Sequence, residues 1–250
     1  MSEIVDIFVP LQAQSEPLQG LLARALGWPE DRVGPVRVHR RSLDARKAHR
    51  IGYRLRVEVA RVGERLNEVC QPERAKWPKG VPVPRIVIVG SGPAGCWAAL
   101  RLAEAGVVST VIERGKQVSP RRRDLAELNH GRLNIESNYC FGEGGAGTYS
   151  DGKLYTRSKD RVGIAGILAD LVKLGAQKEI EFESRPHIGS NHLPKLLESL
   201  RLHLQSLGVY YQFETQFQNV RSEKGRLRAV LTSAGEFPAD SRPKPAFSSQ

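Results

Sequence analysis

Residues 85–95 read Arg-Ile-Val-Ile-Val-Gly-Ser-Gly-Pro-Ala-Gly, an apolar run that breaks into a glycine turn. Ile86 to Val89 are continuously apolar, as a parallel strand buried on both faces should be. Gly90, Gly92 and Gly95 stand at G-x-G-x-x-G spacing, with Ser91 and Ala94 between them. The first glycine allows a tight turn, the second the close approach of a pyrophosphate, and the third close packing of helix on strand. Pro93 suits a first helical turn, where its missing N–H costs nothing. A helix through Trp97, Leu100 and Ala103 should stop at Gly106, and a second apolar strand, Val107 to Ile112, ends at Glu113, eighteen residues past Gly95. An acid there is placed for ribose hydroxyls and repels a 2′-phosphate, which favours FAD or NAD over NADP. Glycine triplets are common. Strand, triplet, helix, strand and terminal acid together are a far more specific dinucleotide signal.

Upstream, Pro78-Lys-Gly-Val-Pro-Val-Pro84 puts three prolines and a glycine into seven residues, the composition of an extended connector. Residues 1–77 read as a small α+β module of β-α-β-β order. A strand over 4–11 precedes a helix carrying Leu18, Leu21, Leu22 and Leu26 that ends near Gly27, and strands follow over 35–42 and 50–62. In the last strand Tyr53, Leu55, Val57 and Val59 alternate with Arg54, Arg56 and Glu58, so one face is buried and one solvated. Within this module residues 36–50 are dominated by basic side chains, with Asp44 the one acid. They read either as a phosphate or RNA contact surface, with Arg40, Arg41 and Arg46 at its centre, or as a solvated loop and strand face. No aromatic residue is interleaved before Tyr53, which disfavours stacking on single strands.

The 250 residues carry a net charge of +11, with 40% hydrophobic and 26% charged residues, ordinary for a globular chain. Residues 1–84 hold 15 Lys+Arg against 10 Asp+Glu, and the remainder carries +6, so the excess is diffuse. A diffuse basic balance suits an anionic small-molecule dinucleotide better than nucleic acid, which is kept as the alternative partner. No apolar run approaches a membrane span and no secretory signal opens the chain, so no membrane partner and a cytoplasmic location are expected. Cys70, Cys96 and Cys140 are widely spaced, without disulfide or zinc-ligand patterning. No oligomeric state is read from the sequence.

Downstream, residues 136–157 read Glu-Ser-Asn-Tyr-Cys-Phe-Gly-Glu-Gly-Gly-Ala-Gly-Thr-Tyr-Ser-Asp-Gly-Lys-Leu-Tyr-Thr-Arg, with five glycines from Gly142 to Gly152. Such density breaks regular structure but lets backbone lie directly against a ligand. Helices follow on Ile164, Ile167, Leu168, Leu171 and Leu174, closed by Gly175, and on Leu193 through Leu207, closed by Gly208. A strand over 209–217 and hairpins at Lys224-Gly225 and Ala234-Gly235 complete the reading.

These motifs, with Val-Ile-Glu-Arg-Gly-Lys-Gln-Val-Ser-Pro-Arg at 111–121, Arg-Ser-Leu-Asp-Ala-Arg-Lys at 41–47 and Arg-Pro-His-Ile-Gly at 185–189, resemble the NAD(P)/FAD-dependent oxidoreductase family. Its members are FAD-dependent dehydrogenases of the glutathione-reductase-like flavoprotein fold. The resemblance implies a Rossmann-like FAD/NAD(P)-binding α/β domain over 85–240, and a flavin-dependent oxidoreductase of undefined substrate with NAD(P)H as electron donor in the complete enzyme. Carried over by position, it implies that Gly90, Ser91, Gly92, Pro93, Ala94 and Gly95 hold the FAD pyrophosphate and Glu113 the adenosine ribose. Arg114 and Arg121 would flank the cofactor, and Gly142, Gly144, Gly145, Ala146 and Gly147 would line the flavin side. The family continues past Asp240 into an apolar strand, whereas residues 241–250 here read Ser-Arg-Pro-Lys-Pro-Ala-Phe-Ser-Ser-Gln. From that departure we expect an incomplete domain, an N-terminal portion with a disordered tail over 241–250, and an inactive truncated product is a further reading. No catalytic residue is singled out. Cys140 reads as a redox thiol or an ordinary one, His187 as a proton relay or a structural loop histidine, and Lys153 as a flavin contact or a solvated side chain.

Overall fold

The computed structural model describes residues 2–47, 50–68, 74–154 and 156–240. The expected tail over 241–250 and Cys70 lie outside the described residues. The chain divides into two compact units, the described residues of Met1–Pro72 with Lys153–Ile188, and those of Glu73–Gly152 with Gly189–Gln250. Residues 153–188, expected within the dinucleotide domain, thus group with the N-terminal module.

In the first unit, β1 (Glu3–Pro10), β2 (Val33–Asp44) and β3 (Gly52–Arg61) form an antiparallel sheet of order β1-β3-β2. The helix α1 (Leu18–Leu26) ends at Gly27, which takes the left-handed φ of 65°. The leucine spacing read from the sequence places Leu22 at 0% exposure against Val57 and Val59 of β3. Residues 153–188 attach through Arg41, whose N–H donates to the Phe182 carbonyl (2.8 Å) and whose guanidinium lies over both Tyr53 and Phe182. Their α-helix, α4 (Arg161–Lys173), is capped by Asp160, which accepts from Gly163 N at 2.8 Å.

On the face of β3 opposite Val57 and Val59, Glu58 is 1% exposed. Burial works against its charge. Donation from the Ser2 hydroxyl, Asn67 N–H, His39 and Arg37 outweighs that and holds the carboxyl at about 2. A depressed folded value means stability present above the unfolded pKa near 4.5 and lost as pH falls toward 2. We expect Glu58→Gln to cost roughly 2 kcal/mol at neutral pH, allowing for water around Arg37 and His39. It should also flatten the wild-type decline between those two pH values. Urea denaturation across the range checks this, and parallel curves for the two proteins would overturn it.

In the second unit, β4 (Ile86–Val89), α2 (Pro93–Glu104) and β5 (Ser109–Ile112) form the expected β-α-β unit, and β6 (Tyr210–Gln212) adds a third parallel strand in the order β4-β5-β6. Burial on both faces belongs to β5, the central strand, rather than to β4. Among the described residues β4 pairs only with β5, and Val89 is 56% exposed. The strand expected over 209–217 is shorter, because Glu214 takes a left-handed φ of 54° and turns the chain. The chain then enters an antiparallel sheet of β7 (Phe217–Glu223), β8 (Arg226–Thr232) and β9 (Gly235–Pro238), whose Val230 packs with Ile112 of β5. The helix α5 (Leu193–Ser206) packs on α2.

One further helix, α3 (Val118–Asn129), escaped the sequence reading. It buries Val118, Arg121 and Leu125. These lie at helical spacing, but an arginine in the middle of the stripe conceals it. Among the described residues no helix is long and apolar enough to cross a membrane.

Candidate functional site

The glycine turn is built as its spacing requires. Gly90 takes a φ of 95° and its N–H donates to Ile112 O at 2.8 Å, closing the turn onto β5. A Cβ on Gly95 would stand 2.1 Å from the Gly90 carbonyl oxygen, so the helix–strand approach admits glycine alone. Gly92, the residue preceding α2, has an ordinary extended backbone, and a Cβ there would meet nothing within 4 Å. Pro93 and Ala94 are exposed. No side chain caps α2, whose first-turn N–H groups have no intrahelical acceptor.

The glycine-rich loop lies against this turn. Gly144 N donates to Ser91 O at 2.9 Å, and a Cβ on Gly145 would reach 3.5 Å from Gly92 Cα. Gly144 packs tightly against Leu197 and Thr148, whereas space beside Gly147 is open. A short helical turn spans Gly145–Gly147 and includes Ala146.

Glu113 joins the pieces. It is 6% exposed, and Oε2 accepts from Ser91 N and Ser91 Oγ, both at 2.9 Å. Oε1 accepts from Gly115 N (2.9 Å) and Gly142 N (3.0 Å). A carboxylate has about four acceptor positions, and here the chain fills all of them. Ser91 Oγ is the one donor of the four on a rotatable side chain.

The two arginines part company. Arg114 pairs with Glu136 at 2.7 Å and lies over the Phe141 ring at 4.2 Å, on the wall of a cavity of about 380 Å³ that also includes Gln216 and Ser233. Arg121, expected beside a cofactor, instead lies beneath the loop at 0% exposure. Its Nε donates to Asn138 O, its Nη1 to Glu143 O and Thr148 Oγ1, and its Nη2 to Tyr139 O and Gly145 O. All five N–H groups are thus used within the chain.

Sequence reasoning passed over Glu143 and Arg201. Glu143 Oε1 accepts from Arg201 Nε at 2.8 Å and Oε2 from Val118 N at 2.8 Å, in a pocket that leaves the Glu143 side chain 2% exposed. Burial raises the Glu143 carboxyl, and Val118 and Arg201 pull it back. The acid stood in plain view within the glycine run, but its partner is a lone arginine 58 residues on.

The remaining candidates are dispersed. Cys140 is exposed. Cys96 is buried, and that burial pushes its thiol up to about 11. Lys153 and His187 face each other across an isolated β-bridge in the first unit. In the basic run, Arg37 pairs with Glu58, Arg40 donates to Ser184, Arg41 pairs with Glu183, and Arg46 pairs with Asp44. Much of the charge that suggested a nucleic-acid surface is engaged within the unit. No group of three or more His, Cys, Asp or Glu side chains among the described residues is placed to hold a metal ion.

Residues 84–132 match the family described as an FAD binding domain, and residues 1–60 match a domain of unknown function, DUF8436. An uncharacterised protein of Clostridium beijerinckii is 32% identical over 243 residues, which is 92% of this chain and 45% of that protein. The chain therefore spans a little under half the length of the curated relative it matches. Among solved structures, L-amino acid deaminase from Proteus vulgaris is 16% identical with a TM-score of 0.31, over 69% of this chain and 48% of that one. Glycine oxidase from Bacillus cereus is 14% identical with a TM-score of 0.38, over 62% of this chain and 53% of that one. At that level the likeness fixes neither substrate nor reaction.

Proposed function

We propose that this chain is the FAD-binding part of a flavin-dependent oxidoreductase, with Gly90–Gly95 and Gly142–Gly147 forming the two sides of a pyrophosphate cradle. The carrying observation is the contrast among the glycines. Gly95 is packed against backbone, while Gly92 keeps open space directly before the amino end of α2. Packing explains the first but leaves no structural need for the second, and an anion lying on the backbone supplies one. The match of residues 84–132 to an FAD binding domain supports the same reading. Ser91 and Glu113 would serve the adenosine ribose, and Arg114 the adenine end through the adjoining cavity. Bound flavin supplies two-electron redox chemistry, while the protein holds and orients it. The electron donor proposed for the whole protein is NAD(P)H.

The test is FAD uptake. The purified chain should take up FAD and show an absorbance band at about 450 nm. Gly92→Val should keep the far-ultraviolet circular dichroism and melting temperature of the parent, because its backbone tolerates any residue. It should nonetheless weaken FAD binding at least about tenfold by filling the space a phosphate needs. A parent chain that takes up no FAD, or a Gly92→Val variant that binds it equally well, would overturn the proposal.

A further inference from the structure

Arg121 is a cation at 0% exposure with no carboxylate among its hydrogen-bond acceptors. Four of its five acceptors are main-chain carbonyls of one loop, those of Asn138, Tyr139, Glu143 and Gly145. A trans peptide carries its C=O and N–H on opposite sides, and the described chain has no cis peptide. Each carbonyl drawn onto the guanidinium therefore turns the next N–H the other way. The Gly144 N–H, turned so, reaches Ser91 O, and with the Gly145 carbonyl on the guanidinium the planar trans peptide directs the Ala146 N–H away from Arg121. Glycine-rich backbone has no intrinsic preference for such a shape and loses much conformational entropy in adopting it. Close packing reinforces the arrangement. A Cβ on Gly142 would meet Arg121 Cδ at 2.5 Å, and the guanidinium also lies over the Tyr149 ring at 5.3 Å.

We propose that Arg121 is a positioning residue that templates the glycine-rich loop from beneath, drawing its carbonyls inward and turning the Gly144 and Ala146 amides away from the guanidinium, and so governs FAD affinity without touching the cofactor. The inference rests on the FAD reading above. It differs from a charge contact in what a lysine can replace. Lysine keeps the charge but has three donors at one point, and cannot reach acceptors spread across a planar fork.

The experiment uses Arg121→Lys and Arg121→Met in the full chain. Tyr139 and Phe141 are both exposed, so chymotrypsin cleavage there reports backbone freedom and not access to the side chain. Cofactor-free parent should resist cleavage at these residues, and both variants should be cut there at least about tenfold faster, with FAD bound about tenfold or more weakly. Lysine should rescue neither property. Lysine binding FAD within about twofold of the parent, or a loop that stays protected while affinity falls, would overturn the proposal in favour of a direct charge contact. If the parent takes up no FAD, the flavin reading fails, and loop protection in the cofactor-free chains still tests the templating. If both variants fail to fold, Thr148→Val decides. It removes one acceptor of the five and should loosen the loop and weaken FAD about threefold, with the fold kept and only a modestly lower melting temperature. Parent-like protection and affinity in that variant would overturn the proposal.

Discussion

Replacing Gly95 by alanine is expected to destabilise the second unit by at least about 3 kcal/mol, lowering its melting temperature by roughly 5–10 °C. The added methyl would stand 2.1 Å from the Gly90 carbonyl oxygen and 3.3 Å from the Ile88 side chain. Neither can yield cheaply. Gly90 is held by its own N–H on Ile112 O and already occupies a left-handed conformation, and Ile88 belongs to β4. Relief would require α2 to lift from the sheet, taking Ala99 and Leu100, at 0% and 3% exposure, out of their packing. A thermal melt followed by circular dichroism checks this, with Gly92→Ala as the control that should melt with the parent. Equal melts for both variants would mean that the close approach at Gly95 is not a constraint on the fold.

The second large effect concerns Arg201→Leu. It leaves Glu143 buried with Val118 N–H as its remaining donor, and an orphaned buried charge typically costs about 3–5 kcal/mol. The pH dependence identifies the cause. Burial already raises the Glu143 carboxyl above 4.5, and loss of the guanidinium raises it further. An acid with a raised folded value contributes stability that is present below its unfolded pKa and fades as pH rises through the folded one. The deficit of the variant should therefore be smallest at and below pH 4.5 and widen as pH rises above it. Glu143→Leu combined with Arg201→Leu should recover much of the loss at neutral pH. A deficit that ignores pH would assign it to lost packing instead.

The β-α-β unit was legible because each of its signals is local. An apolar run, glycines at fixed spacing, a proline in the first helical turn and an acid at a strand end each act within a few residues. The leucine stripes of α1 and α5 and the glycine closures at Gly27 and Gly208 were readable for the same reason. What escaped depends on partners far along the chain. The helix α3 was hidden because its inward stripe includes Arg121, whose acceptors lie 17 to 27 residues away. The basic run looked like a surface because Glu58, Ser184 and Glu183 stand elsewhere in the sequence. The grouping of residues 153–188 with the first unit rests on Arg41 meeting Phe182 and Glu183, a pairing with no sequence signature. β4 read as a central strand because apolar composition does not say which edges are paired.

Glu113 has a consequence for the order in which the chain folds. Its four donors come from positions 22, 2 and 29 residues away, on the glycine turn, the chain just past β5 and the glycine-rich loop. The turn has its own anchor in the Gly90 N–H on Ile112 O and the loop its own in Arg121, and the carboxylate is what joins them. Separations this short close quickly, so the junction is expected to form early in folding.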